Sequence, residues 1–211
     1  MRIAAGLHPH NAKYWGPEIE ERLRALLHDK RTSCLGEIGL DYHYDLSPRE
    51  DQERAFRAQV RIAKEAGLPV MLHIREAHDD ALAIMRDEGW PEAGCILHCF
   101  TNDWDTLEPW IDAGCSVTFG GALTFNNGDA IRDAAARVPE MQLMVETDSP
   151  YMAPKPLRGE VCEPAMVVFT EDALADVRGA EGEERLALFR RVLTNAESML
   201  NRPPTAWQLG K

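Results

Sequence analysis

Four short apolar runs in this chain each end in a side chain that can hold a divalent metal: Leu35-Gly36-Glu37, Val70-Met71-Leu72-His73, Cys95-Ile96-Leu97-His98 and Leu143-Met144-Val145-Glu146-Thr147-Asp148. Carboxylates suit hard ions such as Mg²⁺ and Mn²⁺, while imidazole widens the choice to Zn²⁺ or Fe²⁺. Each residue alone has a structural explanation, a strand-end His bonded to a loop or an acid capping the next helix. Four at equivalent places are not independent accidents. Ligands at the carboxyl ends of successive buried strands predict a parallel, TIM-type β/α barrel with a catalytic metal site at its mouth. Alternation along an extended strand turns Cys99 away from His98 and makes it a poor co-ligand. The same alternation sets Glu146 on the side of Asp148, either near the catalytic water or as an acid paired with a nearby base.

The elements that must carry these residues follow from periodicity. Pro17 marks a helix start, and Ile19, Leu23, Leu26 and Leu27 recur with helical spacing before the run at 33–37. Ser47-Pro48-Arg49-Glu50 has capping-box form, followed by a stripe of Phe56, Val60 and Ala63 that stops at Gly67. Strands are expected at 69–73, 95–98, 116–119 and 141–146, with helices between them marked by Leu82 and Met85, by Leu107 and Ile111, and by an Ala-rich segment around 131–138. Counting the residues up to Gly6 as the tail of a strand, six strands alternate with helices, which implies parallel pairing through crossovers. An open doubly wound sheet is the alternative. Ligand candidates spread from Glu37 to Asp148 favour the barrel, because a closed barrel brings distant strand ends around one mouth. After Asp148 come a Pro-rich loop and two helices, from about Pro164 and Glu183.

Composition limits the partners. A chain of 211 residues with 45% hydrophobic content can bury one good core, which predicts a single domain over residues 1–211, short for a complete barrel of about 250. The 35 acidic against 23 basic residues give a net charge of -12, which repels polyphosphate and argues against extensive duplex binding. Any nucleic acid would be gripped locally, through metal ions. Five cysteines without a CxxC pair suggest reduced thiols. With no signal peptide and no apolar stretch of membrane-spanning length, the expectation is a soluble cytoplasmic protein without a membrane partner.

Five motifs then appear in order: Gly6-Leu7-His8-Pro9, Gly36-Glu37-Ile38-Gly39-Leu40-Asp41-Tyr42, Leu72-His73-Ile74-Arg75, Leu97-His98-Cys99-Phe100 and Glu146-Thr147-Asp148-Ser149-Pro150. Together they resemble the TatD family of metal-dependent deoxyribonucleases over nearly the whole chain. The resemblance implies a β/α barrel, a two-metal site with Mg²⁺ or Mn²⁺ (or Zn²⁺), and hydrolysis of DNA phosphodiesters, typically from single-stranded 3′ ends. It implies that Glu37 bridges two metals, that His73 and His98 complete one site, and that Asp148 binds the other and orients or deprotonates water. His8 resembles the family histidine near the substrate phosphate. Two departures stand out. The family's opening Asp-x-His-x-His strand has no counterpart here, so the chain begins at what resembles the third strand. That predicts six βα units, with either a truncated front end or a partner covering the gap. The family stretch Arg-Gly-(basic)-Arg-Asn-Glu-Pro reads Arg158-Gly159-Glu160-Val161-Cys162-Glu163-Pro164, with two polar or basic groups replaced.

Weaker candidates surround these. Arg75, two residues after His73, is placed to meet a phosphate or to form a structural ion pair. His10 neighbours His8 in a loop, and Tyr42, His43 and Tyr44 follow the Glu37 strand, where they stack on a base or pack as a rim. His28 and His78 read as surface residues, and Trp90, Trp104, Trp110 and Trp207 as packing. The serines lack a nucleophile-elbow context. Two rival functions remain: a related amidohydrolase-type esterase or deacylase, in which a carboxylated Lys commonly replaces the bridging Glu, and a catalytically impaired homologue.

Overall fold

The computed structural model describes residues 1–210. Six strands alternate with helices and are hydrogen-bonded in chain order: β1 (Ile3–Ala5), β2 (Thr32–Asp41), β3 (Val70–Arg75), β4 (Cys95–Leu97), β5 (Ser116–Phe119) and β6 (Leu143–Val145). The β1–β2, β2–β3 and β5–β6 pairs are parallel, as crossover helices require. No helix among the described residues is long and apolar enough to cross a membrane. The chain divides into two compact units, residues 1–96 with 198–210, and residues 97–197.

In the first unit, α1 (Pro17–Leu27), α2 (Arg49–Ala66) and α3 (His78–Glu88) cover the strands. Pro17 sits in the first turn of α1, where its missing N–H costs nothing, and Gly67 ends α2 in the left-handed conformation. β2 is buried along nine of its ten residues, the pattern of a strand covered on both faces. Leu35, Ile38, Leu40, Phe56, Leu72 and Met85 are fully buried here, each contributing roughly 1.5–3 kcal/mol. Two glycines let β2 approach β3. A Cβ on Gly36 would lie 2.6 Å from Met71 Cβ, and one on Gly39, whose φ is +139°, would lie 2.2 Å from the His73 carbonyl oxygen. The capping box expected at Ser47 does not form. α2 begins after Pro48 with no side-chain cap, because the Ser47 hydroxyl donates instead to the His10 carbonyl and accepts from the Lys13 N–H. The chain's end returns to this unit, where the Gln208 amide donates to the carbonyls of Leu27, Asp29 and Thr32.

In the second unit, α4 (Trp104–Asp112) starts at Asp103, whose carboxylate accepts the Thr106 N–H at 3.0 Å. α5 (Asp129–Arg137), α6 (Val167–Val177) and α7 (Gly182–Leu200) follow. Trp110 is fully buried, and Phe100 meets Phe119 edge-to-face. Asn195 on α7 donates to the Glu140 and Leu143 carbonyls, tying the helix to the entry of β6. β4 and β6 are shorter than their apolar runs. Each ends one residue before its first candidate ligand, so His98 and Glu146 leave strand geometry just where the site begins.

Candidate functional site

In the first unit Glu37 lies within β2 and Asp41 closes it, with His73 on the neighbouring β3. The register sets Gly39 beside His73, so the closest backbone approach falls at the histidine. Glu37 Oε2 stands 3.9 Å from His73 Nδ1 and 3.8 Å from His8 Nε2. Two donors on one ion at bonds of about 2.0–2.2 Å can span about 4 Å, so the Glu37–His73 spacing fits a shared cation. His8 Nδ1 accepts the backbone N–H of His10, which leaves its Nε2 as the donor directed toward Glu37. His8, His10 and His73 offer nitrogens within 4.8 Å of one another.

Beneath them lies Asp41, fully buried. Its Oδ2 accepts from His10 Nε2 and His73 Nε2, each at 2.9 Å, and its Oδ1 accepts the backbone N–H groups of His43 and Tyr44. Burial opposes its charge, but the Tyr44 N–H and the two imidazoles outweigh that cost and hold the carboxyl down at about 2. Gln52, also buried, accepts the Asp41 N–H and donates to its carbonyl. Asp41 stands in the sequence only as part of the Gly36–Tyr42 motif, with no role assigned to it, and Gln52 is not among the candidate residues. The available signal was an acid two residues past a glycine in an otherwise apolar strand, with a Gln on the buried stripe of the next helix.

In the second unit His98, Cys99, Glu146 and Asp148 bring possible ligand atoms within 4.8 Å of one another. His98 Nδ1 bonds Glu146 Oε2 at 2.8 Å, and the Thr118 hydroxyl donates to the same oxygen at 2.6 Å. A carboxylate only accepts, so the Nδ1 proton is on His98 and Nε2 presents the lone pair. That Nε2 is 3.9 Å from Asp148 Oδ1, again a spacing that one ion can bridge. Desolvation pushes the Glu146 pKa up, yet His98, Thr118 and the Cys99 thiol pull it below the usual value. Its other oxygen, Oε1, is buried with no hydrogen-bond partner among the described residues. Glu146 thus takes up the reading of an acid paired with a nearby base, and the base is a candidate ligand. The expectation for Cys99 is corrected: β4 stops at Leu97 and Cys99 adopts φ +48°, so strand alternation no longer governs where its sulfur lies.

The remaining candidates sit outside these clusters. The Arg75 guanidinium lies over the Tyr44 ring at 4.8 Å. The Tyr42 hydroxyl donates to Asp80, and His43 pairs with Glu76 at 2.7 Å. Arg158, in the altered loop, covers Phe125. No disulfide occurs among the described residues, and Cys34, Cys95, Cys115 and Cys162 are buried.

A family model described as TatD related DNase matches residues 1–201. The uncharacterized metal-dependent hydrolase YcfH of Escherichia coli strain K12 is 41% identical over 182 residues, spanning 86% of this chain and 68% of that protein. A 3′-5′ ssDNA/RNA exonuclease TatD from Pantoea vagans is 37% identical over 202 residues, spanning 92% and 76%. Among solved structures, YJJV, a TatD homologue from Escherichia coli K12, superposes with TM-score 0.87 at 27% identity, covering 96% of this chain and 77% of that one. The β/α alternation is that of the TIM-type barrel class of these relatives, and the chain belongs to the TatD family of metal-dependent hydrolases.

Proposed function

We propose that this protein hydrolyses phosphodiester bonds at single-stranded 3′ ends of DNA with divalent metal, Mg²⁺ or Mn²⁺ first and Zn²⁺ as a further candidate. The observation that carries this reading is a repeated arrangement: a histidine whose donor nitrogen lies 3.9 Å from a carboxylate oxygen and whose other nitrogen is held by a second carboxylate. Glu37 and His73 are the proposed ligands from the first unit, His98 and Asp148 from the second. Metal bound there would polarise the phosphoryl oxygens and lower the pKa of an attacking water.

The chain's own groups supply the rest. Asp148 accepts the proton of the attacking water, or orients it. The His8 Nε2–H is a donor for a substrate phosphate oxygen, and Arg75 a cation for the next phosphate once its stacking on Tyr44 is exchanged for the ligand. The net charge of -12 confines phosphate attraction to bound metal, which suits ends better than long duplex tracts.

The test is digestion of a 3′-labelled single-stranded oligonucleotide across Mg²⁺ and Mn²⁺ concentrations, with Asp148→Ala prepared identically. Cleavage that needs metal and disappears in the variant supports the reading. Hydrolysis of small esters or lactones with no attack on DNA would replace it with an amidohydrolase-type activity. A melting temperature unmoved by Mn²⁺ and chelator would leave a catalytically impaired homologue, since metal binding only to the native state raises it.

A further inference from the structure

We infer that Asp41 is a positioning residue that fixes one tautomer in two histidines at once, turning the Nδ1 lone pair of His73 outward as a metal donor and presetting His10 in the same form. The inference rests on the proposed role of His73 as a ligand, and it adds a residue outside that ligand set.

The argument is one of proton counting. An ionised carboxylate accepts and never donates. Both ring bonds to Asp41 reach Oδ2 at 2.9 Å, and both come from an Nε2 atom, so each ring carries its proton on Nε2. A neutral imidazole has one N–H, so Nδ1 of each ring is left as a lone pair. For His73 that lone pair is the atom 3.9 Å from Glu37 Oε2. Carboxylate-oriented histidines of this kind are also more basic ligands.

Asp41 cannot escape the role by rotating. Its Oδ1 is committed to the N–H groups of His43 and Tyr44 at 3.1 and 2.8 Å, and its own main chain is held on both sides by Gln52, at 2.8 and 3.2 Å. All four groups that meet the carboxylate are donors, and two of them are backbone amides that cannot reverse. In Asp41→Asn the amide oxygen must therefore stay with the backbone, and the NH₂ must face the rings. His10 and His73 can then accept only by moving their protons to Nδ1, which blocks the atom His73 would give to a metal.

The experiment uses the full chain labelled with ¹⁵N-histidine and freed of metal, at a pH above the ordinary imidazole pKa of about 6.5. Long-range ¹H–¹⁵N correlation assigns the protonated nitrogen of each ring. The expected wild-type result is Nε2–H in both His10 and His73; Nδ1–H in His73 overturns the inference without any variant, whether or not Asp41→Asn folds. In folded Asp41→Asn both rings should switch, and Mn²⁺ or Zn²⁺ affinity by calorimetry should fall roughly 10- to 100-fold. Asp41→Ala, which imposes no tautomer, should lose less affinity than Asp41→Asn. Unchanged tautomers in Asp41→Asn, or equal losses in the two variants, would reduce Asp41 to a packing role and overturn the inference. A wild-type chain with the expected tautomers that takes up no metal would sink the ligand role of His73 while the Asp41 clamp stands. Metal uptake with Nδ1–H in His73 would overturn the Asp41 clamp while leaving metal binding by the protein in place.

Discussion

The two units solve the same problem with opposite ends of the imidazole ring. In the first, His73 is gripped at Nε2 by Asp41 and faces Glu37 through Nδ1. In the second, His98 is gripped at Nδ1 by Glu146 and faces Asp148 through Nε2. Nδ1 lies nearer its own backbone than Nε2 does. The first arrangement therefore suits a ligand that must stay close to the sheet, and the second one that must reach beyond a strand end. The supports differ too. Asp41 has both oxygens committed to donors, whereas Glu146 gathers His98 and Thr118 on one oxygen and leaves the other buried with no hydrogen-bond partner among the described residues. One carboxylate is a saturated clamp and the other keeps acceptor capacity in reserve, so equivalent substitutions should have unequal effects.

The most damaging change is loss of a proposed ligand carboxylate on either side. Glu37→Ala and Asp148→Ala should each abolish metal-dependent cleavage while the melting temperature in chelator stays close to wild type; full activity in Glu37→Ala would break the equivalence of the two arrangements. Next in size is the backbone approach that positions only the first. Gly39→Ala combines a positive φ with a Cβ 2.2 Å from the His73 oxygen, and should cost on the order of 3 kcal/mol in denaturant unfolding. Gly114→Ala in the second unit has φ +86° but open space, and should cost roughly 1–2 kcal/mol. Equal losses would mean that the crowding between β2 and β3 relaxes.

Smaller effects separate the clamps. Glu146→Ala leaves the His98 Nδ1–H without its acceptor and should weaken Mn²⁺ binding roughly 10- to 100-fold, read by calorimetry. Glu146→Gln can keep its oxygen toward His98 and Thr118 with its amide nitrogen in the place of Oε1, exchanging a charged acceptor for a neutral one. That should cost only about fivefold, far less than Asp41→Asn. Comparable losses in Glu146→Gln and Asp41→Asn would erase the distinction between a saturated and an unsaturated carboxylate. The smallest expected effect is on acid stability. Both carboxyls are held below their unfolded values, so each contributes stability that is present above the unfolded pKa and lost as pH falls through the folded one. For Asp41 that window runs from 3.8 down to about 2. In urea titrations at stepped pH, Asp41→Asn should flatten the decline there, and Glu146→Gln should flatten it at the acid end as well.

Much of this arrangement is legible in the chain. The apolar runs of the six strands, the helix stops at Gly67 and Gly89, and the positions of His73, His98 and Asp148 at or near strand ends follow from period and punctuation, whereas the run read as ending at Glu37 continues to Asp41 and leaves Glu37 inside β2. Two local readings fail for the same reason. Ser47 has the spacing of a helix cap, but the loop carrying His10 and Lys13 offers its hydroxyl other partners. Cys99 follows His98 by one residue, but alternation holds only inside a ladder, and β4 ends before either.

By itself the sequence determined which residues could ligate a cation and that regularly spaced βα units would carry them, because burial periodicity and side-chain donor chemistry are local properties. Only the tertiary structure decided which nitrogen of each histidine faces its ligand partner. That choice depends on a carboxylate brought from 32 residues away in one case and 48 in the other, and no local pattern encodes which side of an imidazole ring a distant acceptor will occupy.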